Sequence, residues 1–115
     1  MNGTEERIAR TESLFRDVNE RIAESAQRFD SESASFVCEC SDQSCTERVD
    51  ASLDEYERVR ADGTHFLLRP GHEDTRVERV LERRDNRMAV VQKFQAAIAE
   101  TVRRLNPRVE RVEPA

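Results

Sequence analysis

Three cysteines within eight residues, Cys38-Glu39-Cys40 and then Cys45, constrain this chain more than any other feature. The rest of the sequence is poor in apolar material. Hydrophobic and charged residues each make up 37% of 115 positions, with no Trp and one Tyr. A length of this order fits one domain, and so small an apolar complement calls for a staple: a metal, a disulfide or a partner chain. An odd cysteine count and a reducing compartment favour metal ligation over disulfides. A Cys38–Cys40 bridge is also strained, because same-face neighbours on a strand lie roughly 7 Å apart, about the upper limit for bridging.

The N-terminal residues MNGTEERIAR carry no hydrophobic stretch, so no secretory signal is expected. No apolar run approaches the roughly 20 residues of a membrane helix. The expectation is a cytoplasmic protein with no membrane partner. The net charge of −5 is unevenly spread. Residues 1–30 hold five basic and seven acidic side chains, residues 31–75 four and eleven, and residues 76–115 ten and six. Because cationic side chains supply most nucleic-acid affinity, an acidic chain is not expected to bind nucleic acid in general. A local contact through Arg76, Arg79, Arg83, Arg84, Arg87 and Lys93 is the third functional alternative considered.

Hydrophobic periodicity organises the chain as a single α+β domain over 1–115. Residues 5–29 read as a long amphipathic helix, since Ile8, Phe15, Val18, Ile22 and Phe29 recur on one helical face. That stripe is expected to pack on the domain's own sheet, with a homodimer through the N-terminal helix as the alternative. Residues 30–35 read as a polar linker. The zinc-pinned core is expected over 36–94. It opens with a strand at 36–40 that sets Phe36, Cys38 and Cys40 on one face. Ser52 and Glu55 form a capping box for a short central helix at 53–62, with Leu53, Tyr56 and Val59 inward and Gly63 as its stop. A second strand spans 65–69 and ends at Pro70-Gly71. Residues 76–82 and 88–94 read as a hairpin, although Val77, Val80 and Leu81 also fit a helix. A C-terminal helix at 95–105 turns Ala97, Ile98, Val102 and Leu105 inward, and Pro107 ends it. A frayed tail is expected over 106–115. The sum is a small antiparallel sheet of three to four strands, three helices and a zinc staple.

A structural zinc site takes four tetrahedral protein ligands, usually thiolate or imidazole. Cys38 and Cys40 point the same way from their strand, and the turn Ser41–Ser44 brings Cys45 back to them. Backbone amides in that turn can hydrogen-bond the thiolates and orient them. One position is left. His72, just past the Pro70-Gly71 turn, is the favoured ligand. His65, Asp42 and water are the alternatives, His65 being placed to face solvent at the start of its strand. The metal is expected to be Zn2+. Free thiols with a redox role, an iron–sulfur cluster and copper are the competing readings.

In combination, several segments resemble a family of small uncharacterised bacterial proteins. These are Asn19-Glu20-Arg21-Ile22, Phe36-Val37-Cys38-Glu39-Cys40, Cys45, Glu55-Tyr56-Glu57-Arg58-Val59-Arg60 and Pro70-Gly71-His72-Glu73. The resemblance spans about residues 12–93. It implies that the cysteines and His72 act as one unit, and it implies no activity.

The motifs of the commoner enzyme classes are missing. There is no Gly-rich phosphate loop, no His-Glu-x-x-His and no G-x-S-x-G. The His-x-Glu with Pro-Cys-x-x-Cys of zinc deaminases is missing too. Glu39 and Glu73 are the only acids placed to act as a base beside the metal, and three thiolates blunt its Lewis acidity. The expected function is therefore a non-enzymatic interaction or regulatory module with a protein partner. A thiol-based redox or zinc-release switch is the alternative.

Overall fold

The computed structural model describes residues 3–108. Three helices and two small antiparallel sheets follow the order α1 (Gly3–Arg28), β1 (Ser33–Val37), β2 (Arg48–Ser52), α2 (Leu53–Arg60), β3 (His65–Leu68), β4 (Glu78–Arg84), β5 (Met88–Lys93) and α3 (Ala96–Arg104). The architecture is α+β. β1 and β2 form one sheet, paired from Ser33↔Ser52 to Val37↔Arg48. The other sheet runs in the order β3-β5-β4, with β5 in the middle. Its central place explains the nearly continuous apolar run Met88-Ala89-Val90-Val91, since β5 is covered on both faces.

α1 buries a face turned by one position from the one its hydrophobic pattern indicates, although Ile8 of that pattern is buried and Ile22 still packs against the core. The expected stripe was Ile8, Phe15, Val18, Ile22 and Phe29, yet Val18 is 39% and Phe29 76% exposed. The buried line runs Ala9, Glu12, Arg16, Asn19 and Ala23. Ala9, Arg16, Asn19 and Ala23 each follow an expected residue by one position, which turns the helix by about 100°. Polar contacts set this rotation. Arg16 donates to the carbonyls of Gly63 at 2.8 Å and Val102 at 2.7 Å, fixing α1 to the end of α2 and to α3. Its guanidinium also lies 4.9 Å from the Phe66 ring centre. Glu12 accepts from Lys93 Nζ at 2.6 Å, and Lys93 also donates to Glu78. Asn19 donates to the Val37 carbonyl at 2.9 Å and accepts from the Val37 N–H at 2.8 Å.

α2 has the capping box expected from Ser52 and Glu55, with the reciprocal hydrogen bonds at 3.0 and 2.9 Å. Its Tyr56 ring stacks on Phe36 at 4.4 Å, which joins α2 to the first sheet. The segment 30–35 is only in part a linker, because the strand starts at Ser33. β2, for which the sequence pattern gives no expectation, is a strand whose inward residues are Val49 and Ala51. The hairpin near 76–94 is β4 with β5, turned at Asp85 in the left-handed region with φ 54°. At the C-terminal end Arg108 is bound twice, to Glu20 at 2.7 Å and to Glu57 at 2.7 Å, so the chain is held to that point rather than free from residue 106. Residues 109–115 of the expected tail lie outside the described residues.

Candidate metal centre

The ladder between β1 and β2 stops at Val37, and the next two residues turn to different partners. Cys38 N–H donates to the Glu47 carbonyl at 3.1 Å, back towards β2. Glu39 N–H then points the other way and donates to the Leu67 carbonyl of β3 at 2.8 Å. In an antiparallel strand successive peptide groups face alternate sides, so this short stretch stitches one sheet to the other. Cys38 and Cys40 are carried on that seam, and both are buried.

Two tight turns deliver the other two ligands. Asp42–Cys45 is closed by Cys45 N–H to the Asp42 carbonyl at 3.1 Å, and Asp42 Oδ1 accepts from Ser44 N–H at 2.9 Å. Asp42 thus shapes the turn instead of filling a ligand position. Arg69–His72 is closed by His72 N–H to the Arg69 carbonyl at 3.1 Å. It has Pro70 second and Gly71 third, with Gly71 at φ 92°. That is the signature of a type II turn, whose third residue needs positive φ.

The ligand atoms of Cys38, Cys40, Cys45 and His72 all lie within 4.8 Å of one another. His72 Nδ1 is 3.6 Å from Cys38 Sγ and 3.6 Å from Cys45 Sγ. A tetrahedral centre with metal–sulfur bonds of about 2.3 Å and metal–nitrogen bonds of about 2.05 Å has S···N edges of about 3.6 Å. The group is therefore near enough to hold a metal ion, with these two edges at the tetrahedral length. His65 is elsewhere, beside Asp62 at 3.6 Å. The Arg69 N–H donates to Cys38 Sγ at 3.2 Å, the kind of amide contact that orients a thiolate ligand.

The thiols are electrostatically unlike. Cys40 is pushed down to about 5, chiefly because the Cys38 thiol donates to it, with His72 assisting. Cys38 is pushed up, first by that same contact with Cys40 and then by burial. Burial pushes Cys45 up as well. Binding a cation would draw off the thiol protons that remain.

Sequence reading singled out Glu39 as a candidate base and missed its actual surroundings. The residue is fully buried between the two ligands. Its Oε1 accepts from Arg60 at 2.7 Å and from Leu67 N–H at 2.9 Å, while Oε2 accepts from Asn19 at 2.7 Å and Arg60 at 3.1 Å. With four donors in place the carboxylate is a structural rivet. Arg60 was detectable as an inward residue, since it follows Tyr56 by four positions on the same face of α2. Glu73, the other candidate base, is tied to Gly71 N–H at 2.8 Å and to Arg83 at 2.5 Å. The basic residues considered for nucleic acid also have partners within the chain. Arg76 pairs with Asp74, Arg83 with Glu73, Arg84 with Glu55 and Glu82, and Arg87 with Glu55. Lys93 is buried, and Arg79 lies over Phe94.

No helix among the described residues is long and apolar enough to cross a membrane. Compared with known protein families, curated proteins and solved structures, the chain finds no match.

Proposed function

We propose that this chain is a small zinc-binding module without catalytic activity, in which a Cys3His site holds the fold together and the surface serves to bind or regulate a protein partner. The observation that carries the reading is the convergence of three sulfurs and one imidazole within 4.8 Å. Such a donor set suits zinc, and four protein ligands make a closed structural site rather than an open catalytic one. The engagement of Glu39 and Glu73 in internal contacts supports the non-enzymatic part, since neither is free to serve as a base. A cytoplasmic setting belongs to the proposal because it keeps the three thiols reduced. So does the place among small bacterial proteins, which rests on the shared motif residues alone.

The test is zinc content with thermal melting. The purified chain should carry one zinc per molecule, and a strong chelator should lower its melting temperature by more than about 10 °C, because binding energy at such a site is folding energy. A chain that takes up no stoichiometric zinc, or melts identically with and without chelator, overturns the reading.

A second reading, a thiol-based zinc-release switch, is favoured by one observation: Cys45 is half-buried while Cys38 and Cys40 are buried. A peroxide could take two electrons from the Cys45 and Cys40 sulfurs, joining them as a disulfide while its own O–O bond breaks to two hydroxides and zinc departs. Release of zinc by one equivalent of peroxide, reversed by thiol reductant, distinguishes this reading from the purely structural one.

A further inference from the structure

Because polar contacts turn α1 by one residue, part of its apolar surface is left outside. Leu14 is 62% exposed, Val18 is 39% exposed and Phe15 is half-buried between them. Leu14 stands as a ridge with a hollow on each side. One hollow, of about 200 Å3, lies against Ser13, Asp17 and Leu105. The other, of about 360 Å3, lies against Thr11, Phe15 and Gln43. Arg10 borders both. A projecting leucine beside a recess kept open by a serine is a knob next to a hole, and a surface of that kind is complementary to a copy of itself.

The charges around the ridge give the orientation. Arg10 precedes Leu14 by one turn and Asp17 follows it by about one, and further out lie Glu6 and Arg21. All four are exposed, and Arg10 also pairs with Glu6 on its own helix at 3.1 Å, a solvent-facing contact it can exchange for one across the interface. Two α1 helices laid antiparallel about a two-fold axis between residues 13 and 14 set Arg10 against Asp17 of the other copy, and Glu6 against Arg21. A parallel arrangement would oppose Arg10 to Arg10 and Asp17 to Asp17, so the same charges select against it.

We propose that this face of α1 is the interface of a two-fold homodimer, with the two α1 helices antiparallel and Leu14 of each copy seated in the Ser13–Leu105 hollow of the other. The apolar centre is small, comprising Leu14, Phe15, Val18 and Leu105. The dimer therefore belongs to the weak end of specific association, with a dissociation constant of about 10 µM. The inference does not depend on the zinc reading, because the Ser13–Leu105 hollow contains neither His72 nor any residue from Cys38 to Cys45.

Sedimentation equilibrium of the zinc-loaded chain over about 5–500 µM tests it, the range bracketing that constant. A monomer–dimer equilibrium is expected. Leu14→Glu, at an exposed site where the fold should survive as judged by circular dichroism, should weaken the dimer about 100-fold. Arg10→Asp and Asp17→Arg should each weaken it about tenfold, and the double reversal should recover to within about threefold of the parent, since both cross-helix pairs are rebuilt with opposite polarity. The proposal is overturned by a chain that stays monomeric throughout, which would leave the face to a different protein. A dimer indifferent to Leu14→Glu, or a double reversal no better than the singles, overturns it equally.

Discussion

The guanidinium of Arg60 meets the carboxylate of Glu39 at 2.7 Å, with both side chains at 1% exposure or less, and Glu39 sits between two of the four residues of the candidate metal centre. Arg60 also donates to the His65 carbonyl at 3.1 Å. α2, β3 and the cysteine seam are thus joined at one carboxylate. Removing one partner of such a pair strands the other charge in a dry interior. Arg60→Leu should therefore lose about 3–5 kcal/mol of stability. Chemical denaturation of the variant with zinc in excess would check this, and a loss below about 1 kcal/mol would mean that solvent reaches Glu39.

Metal-ligand substitutions should separate sharply by position. Cys40→Ser and His72→Ala should each abolish stoichiometric zinc and lower the melting temperature, whereas His65→Ala should leave zinc content at one per chain. Elemental analysis after gel filtration reads all three.

Gly71 at φ 92° places His72. A Cβ there meets nothing within 4 Å, so the objection to alanine is purely one of backbone conformation. Gly71→Ala should cost about 1–2 kcal/mol, and it should weaken zinc binding as the turn relaxes and withdraws the imidazole. Competition with a chromogenic chelator would measure the affinity. An unchanged zinc affinity would show that the turn tolerates the substitution without moving His72.

The trio of Glu12, Lys93 and Glu78 has two acids for one base, all of it buried. Burial pushes the Glu12 carboxyl up to about 8. A group whose folded value is raised holds its proton more tightly in the folded state. Its contribution is complete below pH 4.5 and declines as pH rises towards 8. Glu12→Gln mimics the protonated form and should remove that decline, so melting curves of variant and parent should diverge as pH rises from 4.5 to about 8, in favour of the variant, and stay apart above that. Lys93→Met, by contrast, leaves two buried acids facing each other and should cost about 3–5 kcal/mol.

Glu55 behaves in the opposite sense. Hydrogen bonds from Arg87 hold its carboxyl down at about 2, with Arg84 adding to the pull. Stability from this group is present above pH 4.5 and is lost as pH falls towards 2. Glu55→Gln keeps the capping box and removes the charge together with the oxygen that accepts from Arg84 and Arg87. It should destabilise by about 1 kcal/mol at neutral pH, with the gap between variant and parent closing in acid. A gap that stays constant from pH 6 to pH 3 would assign the effect to packing.

Much of this structure was readable from residue pattern. The clustering of three sulfurs and one imidazole follows from spacing: a two-residue step along an extended segment, a turn, and a histidine after Pro-Gly. The α2 cap follows from Ser52 and Glu55, and the hairpin from its two apolar runs. The rotation of α1 was not readable, because Glu12, Arg16 and Asn19 find their partners on β5, on the end of α2 and α3, and on β1, at separations no local period reveals. β2 escaped notice since Val49 and Ala51 alone are too little alternation to mark a strand. Glu39 misled for a related reason: regular pleating would turn it to water, whereas the seam between the sheets turns it inward to Arg60.

The amide of Asn19 has a consequence beyond holding α1 in place. By giving and taking one hydrogen bond each with Val37, it occupies the berth where the backbone of a foreign strand would dock on β1. An unguarded strand margin is where chains join into fibrils, and here Asn19 takes the Val37 position while Arg48 takes the Ser35 carbonyl. Asn19→Leu would open the Val37 position and also take a donor from the buried Glu39 carboxylate, so turbidity on standing at high protein concentration should accompany a loss of stability.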